Sequence, residues 1–255
     1  MSNDTTSPST TPTTDAGADA ARSTVHVVLV PGFWLGAWAW DRVVPGLRDA
    51  GLEPHAVTLP GLESAEADRA GITFEDHVAA VTDLVRSLDG DVVLVGHSGG
   101  GMVVQHVVDR LPDRVRRAMY VDSGPMREGA TIAPDATGAD HPIPAWDELA
   151  AQGTSADGLD DALRAEVERR AVPHPAGVAS APAHPTDPRR HDVPVTVICT
   201  SIPSDVLQQL IAAGQMPAEL PDTRDVTYVD LPTGHWPMLS RPDDLAAAIA
   251  AAARG

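Results

Sequence analysis

Residues 91–106 read DVVLVGHSGGGMVVQH, and the reading of this stretch decides the fold. An apolar run rich in valine, residues 92–95, drives into a knot of glycines around Ser98. Beyond the glycines, Val104, Val107, Val108 and Leu111 recur at three- and four-residue steps, the spacing of one face of an α-helix. Gly96, Ser98 and Gly100 make the pattern G-x-S-x-G, whose mechanics are a sharp strand-to-helix turn that lifts a serine hydroxyl above a sheet. Small neighbours are needed there because backbone passes close by. By itself the pattern fits an ordinary glycine turn equally well. The catalytic version demands a strand entering and an amphipathic helix leaving, and both are present, so Ser98 is taken as a nucleophile. His97, the variable residue inside the motif, reads as packing beside the turn rather than as a base.

Similar apolar runs recur at 25–30 (VHVVLV), 55–59 (HAVTL), 118–122 (AMYVD), 195–200 (VTVICT) and 226–231 (VTYVDL). None alternates strictly between apolar and polar, which suggests strands buried on both faces. Helical periodicity fills the intervals. FEDHVAAVTDLVRSL puts Val78, Val81, Leu84, Val85 and Leu88 on one stripe, and DDLAAAIAAAA near the end is rich in the strongest helix former. Strands alternating with helices predict an α/β domain, a mostly parallel sheet of about six strands flanked by helices. Between about residues 126 and 192 the rhythm breaks: no convincing strand is visible, and two helices are expected, at AWDELAAQ and GLDDALRAEVERRA. This interval reads as an insertion, a small cap or lid over one end of the sheet. The domain is expected to span 24–255, and the Ser/Thr/Pro/Asp-rich residues 1–23 read as a disordered tail.

At 255 residues, 43% of them hydrophobic, the chain can bury one large core. It shows no apolar segment behind a basic start and no run of about eighteen apolar residues, so neither a secretory signal nor a membrane span is expected, and the cytoplasm is the expected compartment. The single cysteine, Cys199, excludes an internal disulfide framework, and no cysteine–histidine cluster has zinc spacing; no metal or cofactor is expected. A formal charge of −18 argues against nucleic acid or anionic membranes as partners. The expected partner is a small apolar substrate, met by a monomer or homodimer.

A nucleophilic serine needs donors for the developing oxyanion and a base for its proton. The backbone N–H of Gly99, at the start of the helix, is one donor. The other is expected from the loop after the first strand, VPGFWLGAWAW, where Phe33 offers the first free N–H after Pro31-Gly32. Trp38 and Trp40 read as packing residues, while Phe33 and Trp34 face the site. Of the ten histidines, His235 stands apart. VTYVDLPTGHWPMLSRPDDL places it on a loop between the last strand and the last helix, where an elbow serine needs its base.

Together these pieces resemble the α/β-hydrolase fold, and within it the branch of esterases and hydroxynitrile lyases that includes plant methyl esterases. The match covers nearly everything from Thr24 to Ala253 and is weakest in the insertion. VLVPGFWLGAWAWDRVVPGL resembles the oxyanion loop and the following Gly-Ala-Trp segment, LVGHSGGG the elbow, TVICTS the late strand, and GHWPMLSRPDDLA the histidine loop and final helix. Pro31 stands where many relatives have histidine. Lyase members carry a threonine in the oxyanion loop and a lysine after the catalytic histidine; Gly32 and Trp236 stand there instead, which weakens a lyase reading.

The resemblance also places the third member of the triad, which orients the histidine. Many relatives have an aspartate in a pattern like Cys-Thr-x-Asp after the late strand, but CTSIPSD puts Ile202 there. Asp122, at the end of the strand after the elbow helix, is the first choice, since some α/β-hydrolases supply the acid from that strand. Asp205 is the second choice, although it resembles a helix start. Asp230 is too near His235 in sequence to be a comfortable partner. Trp34, Met126, Trp146 and Trp236 are expected to line an apolar substrate pocket, with core packing the alternative for each. The reading implied is a serine hydrolase cleaving an ester, thioester or lactone. A cyclase- or lyase-type step on a polyketide-like metabolite, or a ligand-binding protein that has lost catalysis, stay open.

Overall fold

The computed structural model describes Met1 and residues 24–255; apart from Met1, the tail expected at 1–23 lies outside the described residues. The first half runs β1 (Val25–Val30), α1 (Val44–Asp49), β2 (Glu53–Ala56), α2 (Phe74–Ser87), β3 (Asp91–His97), α3 (Gly100–Arg110) and β4 (Val115–Val121). The interval expected to be an insertion follows, with β5 (Asp140–His141), α4 (Trp146–Ala151), α5 (Asp161–Arg170), β6 (His174–Pro175) and α6 (Ala176–Ala179). The chain then returns to the sheet with β7 (Val195–Cys199), α7 (Ser204–Ala212), β8 (Val226–Asp230), α8 (Pro237–Ser240) and α9 (Pro242–Arg254).

Six strands form one sheet in the order β2-β1-β3-β4-β7-β8, and every pairing in it is parallel. Side chains alternate across it, and the central strands β1, β3, β4 and β7 are covered on both faces and read as apolar runs. The edge strands β2 and β8 are only partly covered, so the 226–231 run is not buried on both faces as its sequence suggests. Val27 and Leu29 of β1 and Val93 and Val95 of β3 enter one core with Trp40, Leu47, Leu245 and Ile249. Val28, Val30, Val92 and Leu94 enter the other with Val78, Val81, Val85 and Val104. Burying such a side chain contributes about 1.5–3 kcal/mol, which is why the apolar stripes outweigh any weakness in local propensity. Thr73 fixes the start of α2: its hydroxyl accepts from the Asp76 N–H at 3.3 Å, and the Asp76 carboxylate accepts from the Thr73 N–H at 2.8 Å.

The second strand lies a little earlier than the 55–59 run predicts. β2 is an edge strand paired only with β1, so Pro54, which has no N–H to donate, is tolerated within it. The chain peels away after the Val57 N–H donates to Leu29 O at 3.1 Å. Within the insertion, β5 and β6 pair antiparallel through two residues each, too short a ladder to leave a periodic signature. Among the described residues, no helix is long and apolar enough to cross a membrane.

Candidate active site

The β3–α3 turn holds Ser98 at φ 50°, a left-handed conformation that a residue with a Cβ adopts only when its surroundings impose it. Three contacts impose it here. The Ser98 N–H donates to Val121 O at 3.2 Å, while Ser98 O accepts from the Gly101 N–H at 2.9 Å and from Ser123 Oγ at 2.7 Å. The flanking glycines are required by close approach: a Cβ on Gly96 would lie 2.7 Å from the Cα of Gly101, and one on Gly100 would collide with Pro31 O. Phe33 lies across the turn, with its ring against Gly99 and stacked on His174 at 4.1 Å between centroids. The N–H groups of Phe33 and Gly99 therefore belong to segments that touch beside Ser98. Among the described residues the Ser98 hydroxyl has no hydrogen-bond partner, His235 included. Such bonds often form only when substrate is bound.

His235 is gripped from both sides. Its N–H donates to Ser155 O of the insertion at 2.7 Å, and its carbonyl accepts from Nε2 of the buried His97 at 2.6 Å. Gly234 passes so close to the insertion that a Cβ would stand 2.6 Å from Asp157 N and Ser155 O, which accounts for the glycine of TGHW. The His235 ring donates from Nδ1 to Asp122 Oδ2 at 2.6 Å. Asp122 sits just beyond β4 at φ 46°, a conformation aspartate tolerates better than most residues. Ser201, just beyond β7, donates its N–H to Asp122 Oδ1 at 2.9 Å and its hydroxyl to Oδ2 at 2.6 Å. Burial pushes the Asp122 carboxyl upward, but the hydrogen bonds and charge of His235 and the two Ser201 bonds outweigh it and hold the group well below the usual carboxylate range. Asp122 is therefore an anion at neutral pH.

The structure brings Asp122, and not Asp205, to His235. Asp205 is exposed in the first turn of α7, where it faces the positive end of the helix. Asp230 is also occupied elsewhere, accepting from the Ser204 N–H and hydroxyl at 2.8 Å each. A cavity of about 280 Å³ opens beside Ser98, and Met126 lines it. Trp34, Trp146 and Trp236 are not part of its lining. Trp236 is only 2% exposed and belongs to the core beneath α8, edge-on to Trp146 at 5.2 Å. Trp146 donates to Glu168 at 2.6 Å, and Trp34, at φ 65°, donates from its indole to His141 O at 2.9 Å, tying the loop after β1 to the segment between β4 and β7. Among the described residues no cluster of His, Cys, Asp or Glu is arranged to hold a metal ion.

A model of the alpha/beta hydrolase family matches residues 27–248. The chain belongs to that family. Among curated relatives, Esterase PIR7B of Oryza sativa subsp. japonica is 38% identical over 107 residues, 40% of this chain and 40% of its own length. The carbendazim hydrolyzing esterase of Nocardioides sp. is 35% identical over 100 residues, 38% of this chain and 41% of that esterase. Methylesterase 3 of Arabidopsis thaliana is 31% identical over 145 residues, 55% of this chain and 51% of its own length. The matched stretches thus span about half or less of these relatives. Among solved structures, an extracellular alpha/beta-hydrolase from Paenibacillus species superposes with a TM-score of 0.72 at 20% identity, over 91% of this chain and 100% of that one. A pyrethroid hydrolase from Sphingobium faniae JZ-2 gives 0.66 at 22%, over 91% and 98%. At such identities the likeness shows the fold alone.

One residue at this site, Ser201, escapes sequence reasoning, and a second, His97, does more than its sequence reading says. Ser201 immediately precedes Ile202, and the pairing of β4 with β7 is the signal that would have put it beside Asp122. His97 does pack beside the elbow, and it also donates to the loop that carries His235.

The buried histidines make stability depend on pH. Burial lowers His97 to about 3 and His77 to about 4, and His174 well below 6.5. Between those values and 6.5, the unfolded chain binds protons that the folded chain refuses. Their stabilising contribution is therefore complete above 6.5 and is lost as the pH falls toward 4. Each such proton is worth about 1.4 kcal/mol per pH unit, so His97 and His77 should bring the slope of unfolding free energy against pH to nearly two protons near about pH 5, with His174 steepening it further. Urea titrations across this range check it; a flat profile between about pH 7 and 5 contradicts it.

Proposed function

We propose that the chain is a serine hydrolase that cleaves an ester, thioester or lactone of a small apolar metabolite through an acyl-enzyme. The observation that carries this reading is the 2.6 Å contact between His235 Nδ1 and Asp122, behind a serine strained at φ 50°. Ser98 Oγ attacks the carbonyl carbon and gives its proton to His235 Nε2, while the anion of Asp122 orients and stabilises the resulting imidazolium. The N–H groups of Phe33 and Gly99 hold the oxyanion, each worth roughly a hundred- to thousandfold in rate. Collapse of the tetrahedral intermediate breaks the bond to the leaving group, which takes the proton from His235. Water, deprotonated by the same imidazole, then releases the acid and frees Ser98. Esterases among the relatives support the reading, as does the absence of a lysine after His235. We take the enzyme to be cytoplasmic and to act as a monomer or homodimer.

A shared acyl-enzyme makes a specific prediction. Phenyl and p-nitrophenyl esters of one acid, hydrolysed in the presence of hydroxylamine, should give the same ratio of hydroxamate to free acid. Ratios that depend on the leaving group exclude a common intermediate.

His97 serves in this reading as a positioning residue for His235. His97→Leu leaves the partly buried His235 carbonyl without its donor, a loss of about 1–3 kcal/mol. The expected result is a kcat lowered about ten- to hundredfold at nearly constant KM, with partial recovery in His97→Gln, whose amide can donate. Unchanged kcat in His97→Leu would show that the bond does not position the base.

A further inference from the structure

The cavity beside Ser98 does not lie among the tryptophans near the insertion. It runs under the loop after β4 and the inner face of α7, on the β7 side of the nucleophile. Gly124, Pro125 and Met126 line it from the loop after β4, and Ile202, Leu207, Ile211 and Met216 line it from α7 and the segments on either side of that helix. The loop is firmly held: Met126 N–H donates to Gln105 Oε1 at 3.0 Å, Gln105 Nε2 donates back to Met126 O at 2.7 Å and to Glu219 at 2.9 Å, and Arg190 pairs with Glu219 at 2.9 Å. Of the other four, Leu207 and Ile211 lie on α7, which has no fully buried residue, while Ile202 precedes that helix and Met216 follows it.

The polar groups that reach this cavity are already spent. Asp122 is bonded by His235 and Ser201, the Ser201 hydroxyl donates to Asp122, and the Ser123 hydroxyl donates to Ser98 O. Burial pushes the Cys199 thiol up to about 12, so it is neutral. Among the described lining residues, Ser98 alone retains an uncommitted hydroxyl. No cation stands in the lining, among the described residues, to receive a carboxylate. A charged or strongly polar group placed here would be desolvated without a partner, which is unfavourable.

The lining also separates the two halves of an ester. It includes Ser98 and Gly99, but neither His235 nor Trp236. The leaving group must end within reach of His235 to take its proton, whereas the group that stays on Ser98 need not. We infer that this cavity is the acyl pocket of the enzyme and takes an uncharged, apolar acyl group, with the alcohol or thiol portion left outside it. The inference rests on the serine-hydrolase reading. At about 280 Å³ the cavity has less than twice the roughly 150 Å³ that accepts benzene, so it suits one aromatic ring with a short arm or a chain of about six to eight carbons. Ile202, Leu207, Ile211 and Met216 set its length.

The test is kcat/KM for p-nitrophenyl esters from acetate to dodecanoate, beside octyl and butyl acetates, in wild type, Ile211→Trp, Leu207→Phe and Met216→Ala. In parallel, melting temperatures are recorded with and without octanamide. The expected profile peaks at about six to eight acyl carbons. The octanoate-to-acetate ratio should fall at least tenfold in Ile211→Trp or Leu207→Phe, while Met216→Ala moves the peak to longer chains. Octanamide should raise the melting temperature of the wild type and not of the filled variants. A ratio indifferent to all three substitutions overturns the acyl pocket, as does a dependence on alcohol length in place of acyl length. If no ester is cleaved but octanamide still stabilises the wild type alone, the hydrolase reading fails and the apolar ligand site stands.

Discussion

Ser98→Ala is expected to lower kcat for an aryl ester by about 10⁶-fold, down to what the oxyanion donors and binding alone can supply. The fold should survive. Alanine keeps the Cβ that the elbow already accommodates at φ 50°, and the contacts that shape the turn use the backbone of residue 98. The deleted hydroxyl has no partner among the described residues, so its loss leaves nothing unsatisfied. KM should change little, because the hydroxyl contributes to bond making rather than to holding the ground state. A variant that retains more than about 1% of kcat would instead favour a mechanism in which His235 is the base and Ser98 only a hydrogen-bond donor.

Asp122→Asn is expected to cost about 10³–10⁴-fold in kcat, with Asp205→Asn within about twofold of wild type. Asparagine also tolerates the left-handed conformation seen at φ 46°, so the backbone has no reason to move. What changes is charge and tautomer. The amide cannot stabilise the imidazolium, and it can present an N–H to Nδ1 where the carboxylate accepted one, which favours the wrong protonation of His235. Steady-state kinetics of the two variants on one aryl ester, with melting temperatures as a control for folding, decide the matter. Loss of turnover in Asp205→Asn alone would overturn the assignment of Asp122.

How much of this was legible before the structure differs from residue to residue. The sheet was legible because its central strands β1, β3, β4 and β7 are short, nearly continuous apolar runs bounded by turns, the signature of strands covered on both faces. The start of β2 was not, because Pro54 within it argues against a strand until its edge position is known. Ser98 and His235 could be singled out because their local setting, strand to turn to helix, is written in contiguous residues. The partner of His235 could not be fixed in the same way: Asp122 and Asp205 both follow strands, and only the three-dimensional neighbourhood of β4 and β7 separates them. The same holds for Ser201, whose role depends on a residue 79 positions away. The tryptophans illustrate another limit. An aromatic residue near a site serves packing or binding equally well in a linear reading, and Trp236 goes to the core because α8 turns it inward. The cavity wall on α7 carried no signal, since Leu207 and Ile211 there look like the apolar stripe of any surface helix.

The central claim is that Ser98 is a nucleophile activated through His235 and Asp122. Its most direct measurement is mass-spectrometric mapping of the protein after exposure to a fluorophosphonate probe, which reacts only with an activated serine. The account predicts a single phosphonate adduct on the peptide containing Ser98, formed at least a hundredfold more slowly in Asp122→Asn and not at all in Ser98→Ala. A wild-type protein that takes up no label, or takes it up at another serine, contradicts it.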